Sequence, residues 1–77
     1  MYYSVEYYPK RDIIIRDNIT NSEYEDILEP SYYEYPREIT YRPDGAQINT
    51  GKITTLFYNN RQKRNEFVYS LLESENY

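Results

Sequence analysis

The chain has 77 residues, a formal net charge of −4, and neither cysteine nor histidine. Its length supports one hydrophobic core, so we expect a single domain spanning residues 1–77. The lack of cysteine excludes disulfide bonds and thiolate zinc sites, and the acidic balance disfavours binding to a phosphate backbone or to an anionic membrane.

Tyrosine accounts for twelve residues and phenylalanine for only two. A buried phenol hydroxyl group needs a hydrogen-bond partner, so many of these rings should keep their oxygen atom at the surface. Part of the surface is therefore expected to be aromatic.

The sequence also bears on cellular location. No stretch approaches the roughly 20 apolar residues of a membrane span, and the N-terminus lacks the basic region and apolar run of a signal peptide. Frequent tyrosine, isoleucine and asparagine indicate an AT-rich coding genome, which is typical of many bacteriophages and their Gram-positive hosts. We expect the protein in the cytoplasm, or in the host cytoplasm if a phage encodes it.

The first two predicted elements are strands. Residues from Tyr2 to Tyr8 can alternate between two faces, and the odd-numbered face is the expected core face; it carries Met1, Tyr3, Val5 and Tyr7. Pro9 interrupts this run, and the segment Asp12–Arg16 then offers a β-branched partner strand. The two segments predict a hairpin.

A short helix is predicted between Thr20 and Glu29. Thr20 and Ser22 each precede a glutamate by three residues, as in a capping box, and an apolar stripe follows at helical spacing, formed by Tyr24, Ile27 and Leu28. Pro30 ends the helix. The following segment, Pro30–Pro36, predicts a rigid aromatic loop because both prolines push their preceding residues toward extended conformations.

Three further strands and a helix complete the chain. The segments Glu38–Arg42 and Ala46–Thr50 flank a Pro-Asp-Gly turn and predict a second hairpin. Lys52–Tyr58 predicts a fifth strand. Asn59 or Asn60 can cap a final helix whose apolar stripe consists of Phe67, Val68, Leu71 and Leu72.

These elements predict an α+β fold in the order ββ-α-βββ-α. We expect an antiparallel sheet of four to five strands with both helices packed on one face.

The sequence offers little for catalysis. Histidine and cysteine are absent, so the commonest general base and the usual nucleophiles and zinc ligands are missing. Asp12, Asp17 or Glu34 could serve as an acid and base, but no phosphate-binding loop, nucleophile elbow or carboxylate metal loop accompanies them. We therefore expect no enzyme, no cofactor and no metal.

The segment from Asp17 to Glu38 is more informative. It holds seven carboxylates against Arg37 alone, interleaved with tyrosines. Spaced negative charges can replace phosphates in a basic cleft while aromatic rings fill stacking pockets. The candidate partner-binding residues are Asp17, Glu23, Glu25, Asp26, Glu29, Tyr32, Tyr33, Glu34 and Tyr35. The alternative is a solvated acidic helix face with a tyrosine-lined loop packed on the core.

The final helix begins with Arg61, Lys63 and Arg64 and ends with glutamates, which is the reverse of what the helix macrodipole prefers. Two interpretations stay open. These cations either contact an acidic partner or RNA, or they pair within the protein with the acidic first helix.

Two further hypotheses concern the strands. A tyrosine-bearing sheet can serve as a platform for single-stranded nucleic acid, although the supporting basic groove is missing. Self-association through the strand Tyr2–Tyr8 also stays open, because exposed edge strands invite pairing.

No motif assigns the chain to a family. The stretch Tyr8–Asn18 and the residues Asp44–Ala46 are faintly similar to parts of the small epsilon subunit of firmicute RNA polymerase, but this likeness needs gaps and leaves the final helix without a counterpart. In size, acidity and lack of catalytic motifs the chain is similar to phage-encoded inhibitors such as anti-CRISPR proteins.

The expected function is a non-enzymatic inhibitor that binds the basic surface of a host nucleic-acid-processing or defence protein, by nucleic-acid mimicry. The alternatives are an accessory subunit of the transcription machinery or an immunity or antitoxin protein.

Overall fold

A computed structural model describes residues 1–9, 12–29 and 37–74. The elements are strands β1 (Tyr2–Tyr7) and β2 (Ile13–Ile19), helix α1 (Asn21–Leu28), strands β3 (Glu38–Arg42), β4 (Gly45–Thr50) and β5 (Ile53–Tyr58), and helix α2 (Arg61–Glu73). The predicted order ββ-α-βββ-α is confirmed. Neither described helix is long and apolar enough to cross a membrane.

All five strands form one antiparallel sheet in the order β2-β1-β5-β4-β3. Strand β1 therefore lies inside the sheet, hydrogen-bonded to β2 on one side and to β5 on the other. The prediction that Tyr2–Tyr8 offers an edge for self-pairing is wrong, because both of its sides are already paired. The edges of the described sheet are β2 and β3.

The two helices cover opposite faces of the sheet, so the prediction that they share one face is wrong. Helix α1 packs on one buried cluster, which contains Ile19, Leu28, Ala46, Ile48 and Phe57. Helix α2 packs on the other, which contains Val5, Leu56, Tyr58 and Val68. The physical reason lies in β5, whose consecutive residues Leu56, Phe57 and Tyr58 are apolar on both faces and must all be shielded from water.

A β-bulge distorts the pairing of β1 with β2. Tyr2 pairs with Ile19 and Ser4 pairs with Arg16, so β2 carries one extra residue between these pairs. Asn18, within the extra segment, has a left-handed backbone with φ of 58°. Because of the bulge, β2 continues to Ile19, three residues beyond the predicted end of the strand.

Arg64 of α2 is inserted at this bulge, and only 3% of its surface is exposed. Its Nη1 donates to the carbonyl oxygens of Ser4 and Arg16, each at 3.1 Å, and its Nη2 donates to Asp17 Oδ1 at 2.6 Å. These contacts satisfy a buried charge and fasten the helix to both strands.

Side chains cap both helices as the sequence predicted. The Thr20 hydroxyl accepts from the Glu23 N–H, and Asn60 Oδ1 accepts from the Lys63 N–H, each at 3.1 Å. At the other end of α1, Arg37 donates to the carbonyl oxygens of Ile27 and Glu29 at 2.6 and 2.8 Å. Arg37 thus stabilises helix carbonyls that lack intrahelical partners.

The turn between β3 and β4 brings two backbones into close approach at Gly45. A Cβ atom on Gly45 would lie 1.9 Å from the Phe57 carbonyl oxygen in the neighbouring strand. Gly51, in the next turn, has φ of 59° and open space around the position of a Cβ. The two glycines are therefore needed for different reasons, the first for space and the second for backbone conformation.

We predict that Gly45→Ala destabilises the protein far more than Gly51→Ala does. The alanine at position 45 must push apart β4 and β5, whereas at position 51 it meets only the cost of a left-handed backbone, about 1–2 kcal/mol. Urea unfolding followed by circular dichroism measures both changes in the free energy of unfolding. Equal destabilisation of the two variants would contradict the close approach at Gly45.

Candidate functional site

Helix α1 presents a carboxylate surface to solvent. Glu25, Asp26 and Glu29 are all exposed. Among the described residues, the side chains of Glu25 and Asp26 form no hydrogen bond or ion pair. These two carboxylates are therefore available to an external cation.

A shallow groove joins these carboxylates to two tyrosines. Its volume is about 390 Å³, and its lining consists of Tyr24, Glu25, Leu28, Glu29 and Tyr41. Tyr41 comes from the edge strand β3 and is 67% exposed. The described acidic and aromatic surface is thus built from one helix and one edge strand, and we call these lining residues, together with Asp26, the α1 acidic surface.

Tyr41 is not among the contact residues predicted from the sequence. The alternation of residues along the predicted strand does indicate the position of Tyr41. Tyr41 and Ile39 share one face of β3, and Ile39 packs against the cluster beneath α1. Strand alternation therefore places Tyr41 on the side of the sheet that carries the acidic helix.

Tyr24 anchors this surface to the core. Its ring stacks on Tyr2 with centroids 3.7 Å apart and meets the Phe57 ring edge-on at 5.4 Å. Partial burial raises the pKa of Tyr24, the neighbouring Tyr2 and Tyr41 raise it further, and Arg42 acts in the opposite direction. The fold therefore favours the neutral phenol.

Asp17 and Glu23, which belong to the predicted contact residues, form ion pairs within the protein. Asp17 binds Arg64 at 2.6 Å and lies 3.7 Å from the Arg61 Nε, while Glu23 pairs with Arg16. Asp17 contacts α2, on the face opposite α1, so the structure does not bring it together with the α1 acidic surface. Its position at the bulge gives it a structural role.

The basic start of α2 pairs internally, but not with the predicted partner. Arg61 and Arg64 contact Asp17 in β2, because the sheet separates α2 from the acidic helix. The Arg61 guanidinium also lies 5.3 Å above the Tyr3 ring. Lys63 is exposed and forms no ion pair within the described part of the chain.

The remaining predicted contact residues are Tyr32, Tyr33, Glu34 and Tyr35, and these four lie outside the described residues. The sequence-based hypothesis for them stays a prediction. Of the predicted set, the structure brings together Glu25, Asp26 and Glu29, with Tyr24 and Tyr41 beside them.

A second groove, of about 220 Å³, lies beside α1 over the middle of the sheet. Its charged residues are Glu6, Arg16 and Arg37, and each has a protein partner: Glu6 Oε1 accepts from the Thr55 hydroxyl at 3.4 Å, Arg16 pairs with Glu23, and Arg37 binds α1 carbonyls. Within residues 1–9, 12–29 and 37–74, no three metal-ligating side chains form a group that could hold a metal ion.

We predict that Tyr24→Phe flattens the loss of stability at alkaline pH. A raised pKa in the folded state means that Tyr24 supplies stability below its unfolded pKa of about 10, and that this stability is lost as the pH rises through the folded pKa. Urea midpoints between about pH 8 and pH 11 measure the effect. The control is Tyr69→Phe, on the exposed side of α2; a pH dependence of Tyr24→Phe identical to that of the unmodified protein would contradict the prediction.

Comparison with known proteins returned no counterpart: no family model, no curated protein and no solved structure matches this chain.

Proposed function

We propose that this protein is a non-enzymatic inhibitor of phage type that acts in the cytoplasm by binding the basic site of a host nucleic-acid-processing or defence protein. The α1 acidic surface is its contact surface. The observation that carries the proposal is the groove in which Glu25 and Glu29 lie beside Tyr24 and Tyr41, with the exposed Asp26 on the same helix.

The electrostatics of α1 support this proposal, because Glu25 and Asp26 lie where negative charge costs stability. Both residues lie in the C-terminal half of the helix, where the macrodipole disfavours negative charge, and neither side chain has an ion-pair partner among the described residues. Charges that weaken the free protein indicate a function, since a basic partner would neutralise them.

The tyrosines complement these charges. Tyr41 is largely exposed on the rim, and Tyr24 is fixed in place by the Tyr2 and Phe57 rings. Rigid aromatic side chains lose little conformational entropy on binding and are common at protein interfaces. Carboxylates beside the exposed Tyr41 ring offer a basic cleft the same two features as single-stranded nucleic acid, namely negative charge and stacking surface.

The hypothesis of a nucleic-acid platform receives no support from Tyr3, Tyr7 and Tyr58. Tyr7 packs against Phe67, and the Tyr3 and Tyr58 rings lie beneath the guanidinium groups of Arg61 and Arg42. Rings engaged in this way are not available to stack on bases.

We predict that the double variant Glu25→Lys, Asp26→Lys binds the partner protein more weakly than the unmodified protein does. Immobilised protein is used to capture proteins from a lysate of the host, and single-stranded and double-stranded DNA are added as competitors. We expect the captured protein to be released by nucleic acid, and its affinity for the double variant to fall at least about tenfold, with a weaker dependence on salt.

The matched control is Glu66→Lys, Glu73→Lys, which makes the same change of net charge on exposed positions of α2. This control should retain binding. Capture that is equal for both double variants, or that nucleic acid does not reverse, would refute the proposal. A captured toxin, or a core transcription subunit that binds regardless of nucleic acid, would instead favour an antitoxin or accessory subunit.

A further inference from the structure

Strand β2 lies at the end of the sheet, so one of its sides has no hydrogen-bonded neighbour among the described strands. Ile14 and Ile15 lie in the part of β2 that precedes the bulge. They are 46% and 48% exposed, and their side chains point to opposite faces of the sheet. An unpaired β-branched edge of this kind is a template for pairing with another chain.

The backbone groups that face outward can be identified. The Tyr8 N–H donates to the Asp12 carbonyl at 3.5 Å, so the peptide groups of Asp12 face β1. The Arg16 carbonyl lies on the same inner side, where Arg64 donates to it. The N–H and C=O groups of successive residues point to alternate sides of a strand, so those of Ile13 and Ile15 point away from β1.

The segment Asp12–Arg16 is complementary to itself in an antiparallel register. A two-fold axis at Ile14 sets Ile13 opposite the partner's Ile15 and Asp12 opposite the partner's Arg16. Ile13 and Ile15, whose backbone N–H and C=O groups point outward, then form the hydrogen-bonded pairs with the second copy. The acid–base pairs occupy the non-hydrogen-bonded positions, where opposing side chains are closest.

We infer that the protein self-associates as a two-fold dimer through β2, which extends the five-stranded sheet continuously across two copies. The Arg16 side chain is 53% exposed and its one described ion pair is with Glu23, so it can also reach the partner's Asp12. The bulge ends the pairing after Arg16, because the left-handed Asn18 turns the strand away.

The other edge, β3, has the same order of charges, with Glu38 first and Arg42 last, but its arginine is already engaged. Arg42 Nη2 donates to the Phe57 carbonyl at 3.0 Å, and its guanidinium lies 4.7 Å above the Tyr58 ring. The middle residue of β3 is Thr40, where β2 has Ile14. Strand β3 is therefore the weaker self-complementary edge and provides an internal control.

The dimer is expected to be weak. Pairing along the short segment Asp12–Arg16 buries less than a standard interface of about 1,600 Å². Each copy also carries a net charge of −4, which opposes association. We therefore expect a dissociation constant in the micromolar range or above, so association must be measured at high protein concentration.

A charge-swap experiment tests the register directly. Sedimentation velocity from about 10 μM to 1 mM should show the unmodified protein moving from monomer toward dimer. Asp12→Lys and Arg16→Glu each set like charges opposite one another at both ends of the interface, and each should weaken dimerisation about tenfold. An equimolar mixture of the two variants restores both acid–base pairs and should form a heterodimer.

A second pair of variants distinguishes the two edges. Ile14→Lys brings like charges together at the two-fold axis and should abolish the dimer, whereas Thr40→Lys, at the centre of β3, should leave it intact. A protein that stays monomeric up to about 1 mM, or a mixture of the charge variants that does not associate, overturns the inference. Loss of the dimer in Thr40→Lys but not in Ile14→Lys also overturns it.

Discussion

The buried guanidinium of Arg64 joins three parts of the chain that are far apart in the sequence. It contacts carbonyl oxygens of β1 and β2 and the carboxylate of Asp17, while its own helix is near the C-terminus. Removing such a charge from water costs several kcal/mol, and only a nearly complete set of acceptors offsets that cost. The bulge region supplies three of these acceptors and Asn65 supplies the fourth, 2.8 Å from Nε, so helix, bulge and buried charge depend on one another.

The position of the bulge determines the path of the chain from β2 into α1. It ends the regular pairing of β2 at Arg16, turns the chain at Asn18 and delivers Ile19 to the cluster beneath α1. Helix α1 then begins at Asn21 on the face opposite α2. The molecule thus has a carboxylate and tyrosine surface on one face, Arg61 and Arg64 paired with Asp17 on the other, and the edge strand β2 between them.

Local sequence patterns predicted the helices, strands and turns well, because each of these elements depends on residues that are neighbours in the sequence. The Thr20 and Asn60 caps and the turn at Gly45 are all confirmed. The arrangement of the helices could not be predicted in the same way, since a helical stripe indicates that a face is buried but not which side of a sheet it covers. The apolar run at Leu56–Tyr58 was the available signal that both sides are covered.

The site was predicted only in part, because charge in a sequence does not distinguish a solvated carboxylate from a paired one. The sequence alone gives no reason to treat Asp17 and Glu25 differently, yet Asp17 binds Arg64 whereas Glu25 is exposed to solvent.

The central claim is that the Arg64 guanidinium is buried and held by the acceptors at the bulge. Its most direct test is an NMR spectrum of the arginine guanidinium groups. Arg64 should show distinct, slowly exchanging Nη protons with contacts to Ser4 and Arg16, unlike the exposed Arg61; a single averaged Nη signal for Arg64 would contradict the account.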